Sequence, residues 1–295
     1  MIYDVTHITR YEYAAPVVVN DCVLRLRPRE EPGQVVSRYK VEVRPTPSDF
    51  VEHADAFANR VARLRIETPH RQMSITSSFR VEVARAAPPI AALTPPWEAT
   101  AALAAASESL DPDSPALALY PSRRVALFSA ATAYARESFA PKRPVYEAAA
   151  ELSKRVHADF TYDSAATEVS TTPAEAFAAR RGVCQDFAHV MISGLRGLGL
   201  PALYVSGYIR TFPPPGKPRL VGADASHAWV AVWCGPSFGW LGLDPTNAIP
   251  EGDDHIVLAR GRDYGDVPPV DGVVLSYGGH DMEVSVDVAP VEAKA

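Results

Sequence analysis

Cysteine is scarce in this chain, and so are the features that would assign it to a disulfide scaffold, a membrane or a nucleic acid. Only three cysteines occur in 295 residues. Cys22, Cys184 and Cys234 form an odd, widely spaced set, which is no disulfide framework and fits a reducing cytoplasm. There is no Cys-x-x-Cys pair, no His-Glu-x-x-His and no acidic calcium loop, so neither metal nor cofactor is expected. Asp253-Asp254-His255 is a weak exception and reads as a polar turn. The first residues, MIYDVTHITRYEY, lack a basic start followed by an apolar run, and no apolar run approaches bilayer-spanning length. A cytoplasmic protein with no membrane partner is expected. A net charge of −6 leaves no basic excess to neutralise phosphates, which excludes nucleic acid as a natural partner. Arg25, Arg27, Arg29, Arg60, Arg63 and Arg65 alternate with apolar residues and read as solvated strand faces.

What is present divides the chain in three. Residues 1–86 carry period-two patterns, the longest through Met73, Ile75, Ser77, Phe79, Val81 and Val83, with breaks at Pro28 to Gly33, Pro45 to Asp49 and Pro69-His70. This predicts an antiparallel β-sandwich of about six strands. No chemistry is visible there, and His7, His53 and His70 read as structural or surface residues. Residues 87–121 turn to Ala, Pro and Ser, a linker with Leu93, Trp97, Leu117 and Tyr120 as apolar anchors and a short helix near Ala99 to Leu110. Residues 122–295 form the third part. Helical spacing recurs at Val125, Phe128, Ala131 and Ala135 and again from Val145 to Val156; strands follow Pro201, and a last alternating run passes through Met282, Val284, Val286 and Val288. The loop from Phe212 to Lys217, with three consecutive prolines, must be irregular. The fold class is α+β.

The chemistry centres on Thr172 to Leu200. Thr172 caps a short helix starting at Pro173 and ending near Arg180. A second helix begins at Cys184, its apolar stripe running through Phe187, Ala188, Met191, Ile192, Leu195 and Leu198. A cysteine at a helix N-terminus meets unpaired N–H groups and the positive dipole end, which favour the thiolate. Downstream, His227, Trp229, Ala231 and Trp233 share one strand face. If the hairpin closes between Trp233 and Trp240, Asp244 lies opposite Trp229 and diagonal to His227 on that face; a one-residue slip would turn it away. Cysteine, histidine and carboxylate make the inventory of a nucleophile, a base and an orienting group. His189, five residues along the helix, faces away from the thiol and is assigned to packing. Cys234 has no nearby base, and Ser226 points opposite to His227.

GVCQDFAHVMISGLRGLGLPALYVSGYI, DASHAWV and GWLGLDPTN resemble the core of the bacterial transglutaminase-like superfamily. HIVLARGRDYGDVPPVDGV resembles the tail of the same group, and the first strands resemble the β-domain preceding that core. The resemblance implies a papain-like core with the cysteine helix packed on an antiparallel sheet. It implies Cys184 as nucleophile, His227 as general base and acid, and Asp244 as orienter, acting on peptide or protein amides. Tyr162, Gln185 and Trp229 are the side chains assigned to the oxyanion and substrate-binding surroundings.

Within this group the expected reaction is mainly hydrolytic. Cross-linking requires an aromatic tunnel for an amine, and the only candidate walls, Trp229, Trp233 and Trp240, read as hairpin core. Acetyl transfer from coenzyme A is disfavoured because no basic patch awaits a nucleotide. Papain proper places its histidine roughly 130–150 residues after the cysteine, against 227 − 184 = 43 here. A non-catalytic scaffold is the remaining alternative, disfavoured because all three residues are present.

Overall fold

The computed structural model describes residues 1–168, 170–211 and 225–291. Six strands come first: β1 (Ile2–Val17), β2 (Val19–Leu24), β3 (Gln34–Arg44), β4 (Asp49–Ala54), β5 (Arg60–Ile66) and β6 (His70–Val83). The helical part follows with α1 (Trp97–Ala105), α2 (Ser129–Arg136) and α3 (Val145–Asp159), then the short strand β7 (Thr161–Tyr162), helix α4 (Pro173–Ala179), β8 (Arg181–Gly182) and helix α5 (Cys184–Gly197). The remaining strands are β9 (Ala202–Ile209), β10 (Ala225–Trp233), β11 (Trp240–Asp244), β12 (Ile249–Pro250), β13 (His255–Gly261), β14 (Val270–Leu275) and β15 (His280–Pro290). The proline loop expected at 212–217 lies outside the described residues. Among the described residues no helix is long and apolar enough to cross a membrane.

Two four-stranded antiparallel sheets form the sandwich, in the orders β15-β1-β6-β3 and β14-β2-β5-β4. The two C-terminal strands, grouped with the core by the sequence reading, instead complete these N-terminal sheets. Their alternation specifies a half-buried strand but not which edge it will join. A third sheet, β12-β11-β10-β9-β13, belongs to the core. Helix α5 packs on its face through Phe187, Met191, Ile192 and Leu195, joined by Leu152 and Val156 of α3 and Val230 of β10.

The inner face of the β1 sheet covers two different partners. Tyr3, Val5, Phe79, Val81 and Val288 pack on Tyr208, Ile256 and Leu258 of the core sheet. Farther along the same strands, Tyr13, Met73 and Ile75 pack on Leu24, Leu64 and Ile66 of the second sandwich sheet. Two core-sheet residues at the free edge of β13 are bonded by the sandwich. The Gln34 amide accepts from the Val257 N–H and donates to its carbonyl, both at 2.8 Å. The Asn59 amide does the same for Arg260, also at 2.8 Å. Two side chains thus pair a strand edge that would otherwise be open.

The linker wraps the core, and of the expected anchors Trp97 is the one that is buried. Trp97, Ala104, Ala118 and Leu119 are buried, whereas Leu93 and Tyr120 are exposed and Leu117 is half-buried. Arg29, assigned to a solvated face, is buried: its guanidinium donates to the Asn59 Oδ1 at 2.8 Å and pairs with Glu31.

Candidate active site

Local sequence sets the cysteine in place. Thr172 and Glu175 form a reciprocal capping box on α4, with the Thr172 N–H donating to Glu175 at 2.8 Å. The helix ends at Arg180, which adopts a left-handed conformation with φ +53°. After β8, α5 starts directly at Cys184, and Asp186 caps it backwards, accepting from the Val183 N–H at 2.8 Å and the Thr167 hydroxyl at 2.7 Å. Gly182 is required here because a Cβ would collide with the Asp186 side chain.

The β10–β11 hairpin pairs Trp233 with Trp240 and Val230 with Leu243. That register carries Asp244 to the face shared by His227. His227 Nε2 and Asp244 Oδ2 lie 2.7 Å apart, and Cys184 stands with the imidazole on the wall of the same cavity. With Nε2 held by the carboxylate, Nδ1 is the nitrogen left to face the thiol. Burial alone would depress the His227 pKa, but the hydrogen bond to Asp244 and the nearby Cys184 outweigh it and push the group up to about 9. Asp244 is fully buried. Burial opposes its charge, yet its histidine and Asn247 partners hold the carboxyl below the usual carboxylate range.

Two residues complete the carboxylate's surroundings that the sequence reading left out of the site. His255, the first residue of β13, directs Nε2 at Asp244 Oδ2 from 3.3 Å, while its Nδ1 accepts from the Gly252 N–H at 3.2 Å. That second bond fixes the proton on Nε2, so His255 donates to Asp244. Asn247 donates its side-chain amide to the same oxygen at 2.7 Å. Asp244 Oδ1 accepts the backbone N–H groups of Thr246 and Asn247 at 2.9 and 3.1 Å. His255 closes the expected polar turn, its N–H donating to the Gly252 carbonyl at 3.0 Å, and supports the carboxylate as well. His227, Asp244 and His255 present donor atoms within 4.8 Å of one another, a candidate metal triad. Asp244 already accepts five hydrogen bonds, however, so the cluster is built for holding protons rather than for sharing the carboxylate with a divalent ion.

Cys184, Gln185 and His227 open into a cavity of about 260 Å³. Gln185 lies on its wall. Trp229 does not: it is fully buried below His227, stacked at 6.0 Å between centroids, with its indole N–H donated to Glu251 at 2.8 Å. Gly207 makes room for this ring, because a Cβ there would strike it. Tyr162 stands beside Phe187, is 56% exposed and lies outside the cavity lining. His189 is buried, accepts from the Tyr264 N–H at 3.2 Å and is pulled down to about 3 by burial, in keeping with packing. The sandwich is not free of functional geometry. His7, Thr9 and Tyr11 of β1 and Met282 and Val284 of β15 line the same cavity.

An N-terminal antiparallel β-domain, a helix opening with cysteine, and a sheet presenting histidine and aspartate to it define a transglutaminase-like architecture. Comparison with known proteins agrees. Residues 3–82 match the bacterial transglutaminase-like N-terminal region, and residues 132–245 match the transglutaminase-like superfamily. An uncharacterised protein of Mycobacterium tuberculosis (strain H37Rv) is 39% identical over 305 residues, spanning 99% of this chain and 94% of that protein. A segment of the Pseudomonas aeruginosa protein-glutamine gamma-glutamyltransferase is 40% identical over 74 residues, covering 25% of this chain and 11% of that enzyme. A solved structure of a candidate cysteine protease from Cytophaga hutchinsonii shares the fold, with a TM-score of 0.70 at 17% identity over 100% of this chain and 92% of that one. The chain belongs to the transglutaminase-like superfamily.

Proposed function

We propose that the protein is a cysteine amidase or peptidase that cleaves amide bonds of peptides or proteins through a thioester. The observation that carries this reading is the buried His227–Asp244 pair, 2.7 Å apart, with Cys184 lining the same cavity as His227. A pKa pushed up to about 9 keeps the imidazole charged at neutral pH, which is the partner a thiolate needs. Cys184 Sγ attacks the amide carbonyl, and the oxyanion is held by the Cys184 backbone N–H at the start of α5. The C–N bond breaks as His227 gives its proton to the leaving amine. Neutral His227 then takes a proton from water, whose oxygen attacks the thioester and releases the acid and the thiol. Asp244, anchored by His255 and Asn247, fixes the His227 tautomer throughout.

Transfer to an amine is the second reading, supported by the matched segment of the gamma-glutamyltransferase. Water at roughly 55 M must then be outcompeted by a positioned amine. The tryptophans expected to wall an amine tunnel are spent elsewhere: Trp229 under His227, Trp233 against Ala104 and Leu119, and Trp240 on the Asp113 carbonyl. Hydrolysis is therefore favoured. The test presents a peptide library with excess labelled primary amine and reads the products by mass spectrometry. Cleavage or deamidation, absent in Cys184→Ala, is expected; dominant amine incorporation would replace hydrolysis by transamidation. Unchanged turnover in Cys184→Ala would end the cysteine mechanism.

A further inference from the structure

The roof of the cavity is one continuous face of the outer sheet. Side chains alternate along a strand, so Tyr3, Val5, His7, Thr9 and Tyr11 of β1 point the same way. The β1–β15 register sets Val5 against Val288, His7 against Val286, Thr9 against Val284 and Tyr11 against Met282. The first half of this double row, Tyr3, Val5, Val286 and Val288, is buried against the core sheet. The second half continues past the edge of that contact and hangs over Cys184. There the packing ends: Val284 is 45% and Met282 58% exposed, so the row runs from solvent to the thiol as an apolar shelf.

Chemistry along this shelf is one-sided. Among the described residues the cavity lining holds no lysine, arginine, aspartate or glutamate. The lining histidine from the sandwich is also neutral: burial pulls His7 down to about 4, its Nδ1 accepts the Tyr208 hydroxyl at 2.8 Å, and Nε2 reaches the Thr9 hydroxyl at 2.9 Å. Among the described lining residues the one charge facing the space is the His227 imidazolium, which the Asp244 carboxylate neutralises. A volume of about 260 Å³ holds roughly eight or nine waters at about 30 Å³ each, which is the space of one large side chain with its backbone. A charged group placed there would lose part of its hydration and meet no lysine, arginine, aspartate or glutamate among the described residues.

We propose that the first and last strands of the sandwich are the specificity wall of the Cys184 site, and that the site selects an uncharged acyl group of side-chain size, its apolar body lying on Met282 and Val284. This rests on Cys184 being the nucleophile. It assigns the N-terminal domain a direct part in substrate choice, with Thr9 and Tyr11 above the acyl group and Met282 at the mouth.

The test uses three N-blocked aminoacyl acyloxymethyl ketones that differ only in a glutamine, glutamate or lysine side chain. Each alkylates a thiolate, Sγ forming a thioether as the carboxylate departs, and intact-mass spectrometry gives the rate at Cys184. In the full chain the neutral probe is expected to react at least about 30-fold faster than either charged one. Met282→Lys should raise the rate of the acidic probe relative to the basic one by about tenfold, and Met282→Glu should do the reverse. A folding defect would slow all three probes together and cannot produce opposite preferences. If iodoacetamide labels Cys184 rapidly but the three probes react alike, or the ratio is the same in both variants, the specificity wall is refuted while the nucleophile stands. If neither iodoacetamide nor any probe labels Cys184 in the folded chain, the cysteine mechanism falls and takes this assignment with it.

Discussion

Replacing Asp244 by asparagine tests the centre of the site, and its consequence can be worked atom by atom. The carbonyl of the new carboxamide would keep the two backbone N–H groups of Thr246 and Asn247 that Asp244 Oδ1 now accepts. Its NH₂ would then face His227 Nε2, His255 Nε2 and the Asn247 amide, three groups that today converge on Oδ2. Donor would meet donor. His227 can escape by moving its proton to Nδ1, so that Nε2 accepts from the new amide. The nitrogen facing Cys184 would then carry a proton and could no longer take one, the wrong-tautomer failure known for triad enzymes. The charged imidazole would also lose its counter-ion while the burial that depresses it remains. A fall from about 9 to the ordinary 6.5 or below corresponds to about 3 kcal/mol, or roughly 300-fold in the ratio of charged to neutral imidazole. Alkylation of Cys184 by iodoacetamide at pH 7 should fall by about two orders of magnitude, with hydrolysis falling at least as far. The orphaned donors of His255 and Asn247 should cost a further ~1–3 kcal/mol of stability. The assay pairs the alkylation rate with an NMR titration of His227. A folded Asp244→Asn protein whose His227 still titrates near 9, or whose Cys184 reacts within about threefold of wild type, would refute this account.

Three further outcomes follow from the same geometry. At pH 6 iodoacetamide should label Cys184 well ahead of Cys22 and Cys234, because burial pushes the Cys22 thiol up to about 12 and the Cys234 thiol higher still; peptide mapping that finds equal labelling would contradict this. Stability should peak near pH 6.5. Below it the unfolded chain binds protons that His7 and His189, held at about 4 and about 3, refuse, costing up to ~2.7 kcal/mol per pH unit for the pair. Above it the proton that His227 retains up to about 9 is lost with its stabilisation; urea melts from pH 5 to 9 check both limbs, and a flat profile would contradict them. Gly182→Ala should displace Asp186 from the start of α5, lowering stability by about 1–3 kcal/mol and slowing Cys184 labelling, whereas a wild-type melting temperature and rate would show the Asp186 cap to be dispensable.

The parts of this site that sequence makes legible are those governed by local rules. Helix termini, the capping box at Thr172 and Glu175, and the alternation of β10 all depend on residues within a few positions of one another. So does the hairpin register through Trp233 and Trp240, once the loop closes as it does. The missing parts depend on where a strand docks. The alternation at Met282 to Val288 reads as a strand, but no local signal says that it pairs with β1 or that half its face will hang over the cysteine. His7 looks like one more histidine on a strand until the sheet is placed over β9 and Tyr208. His255 had a visible signal, the HIVLARGRDYG stretch, but its role at Asp244 needs β13 set beside β9. Trp229 misled for a related reason. A strand position on the histidine's face says which side of the sheet a side chain occupies, not whether another element covers it.

The roof over the cysteine joins residues from opposite ends of the chain, with Tyr3 against Pro290 and Tyr13 against His280. On a ribosome this imposes an order of events. Asp244 emerges forty residues before Val284 (284 − 244), so the cysteine, its histidine and its carboxylate all exist before the wall above them does. At roughly 5–20 residues per second, β1 waits on the order of 15–50 s for its partner strand. During that interval its edge must stay unpaired or be held by something other than β15. A nascent chain stalled in this window would display the thiol without the shelf that screens what approaches it. Long-range pairing of this kind is slow to form, and here the last contact made is the one that gives the reactive sulfur its surroundings.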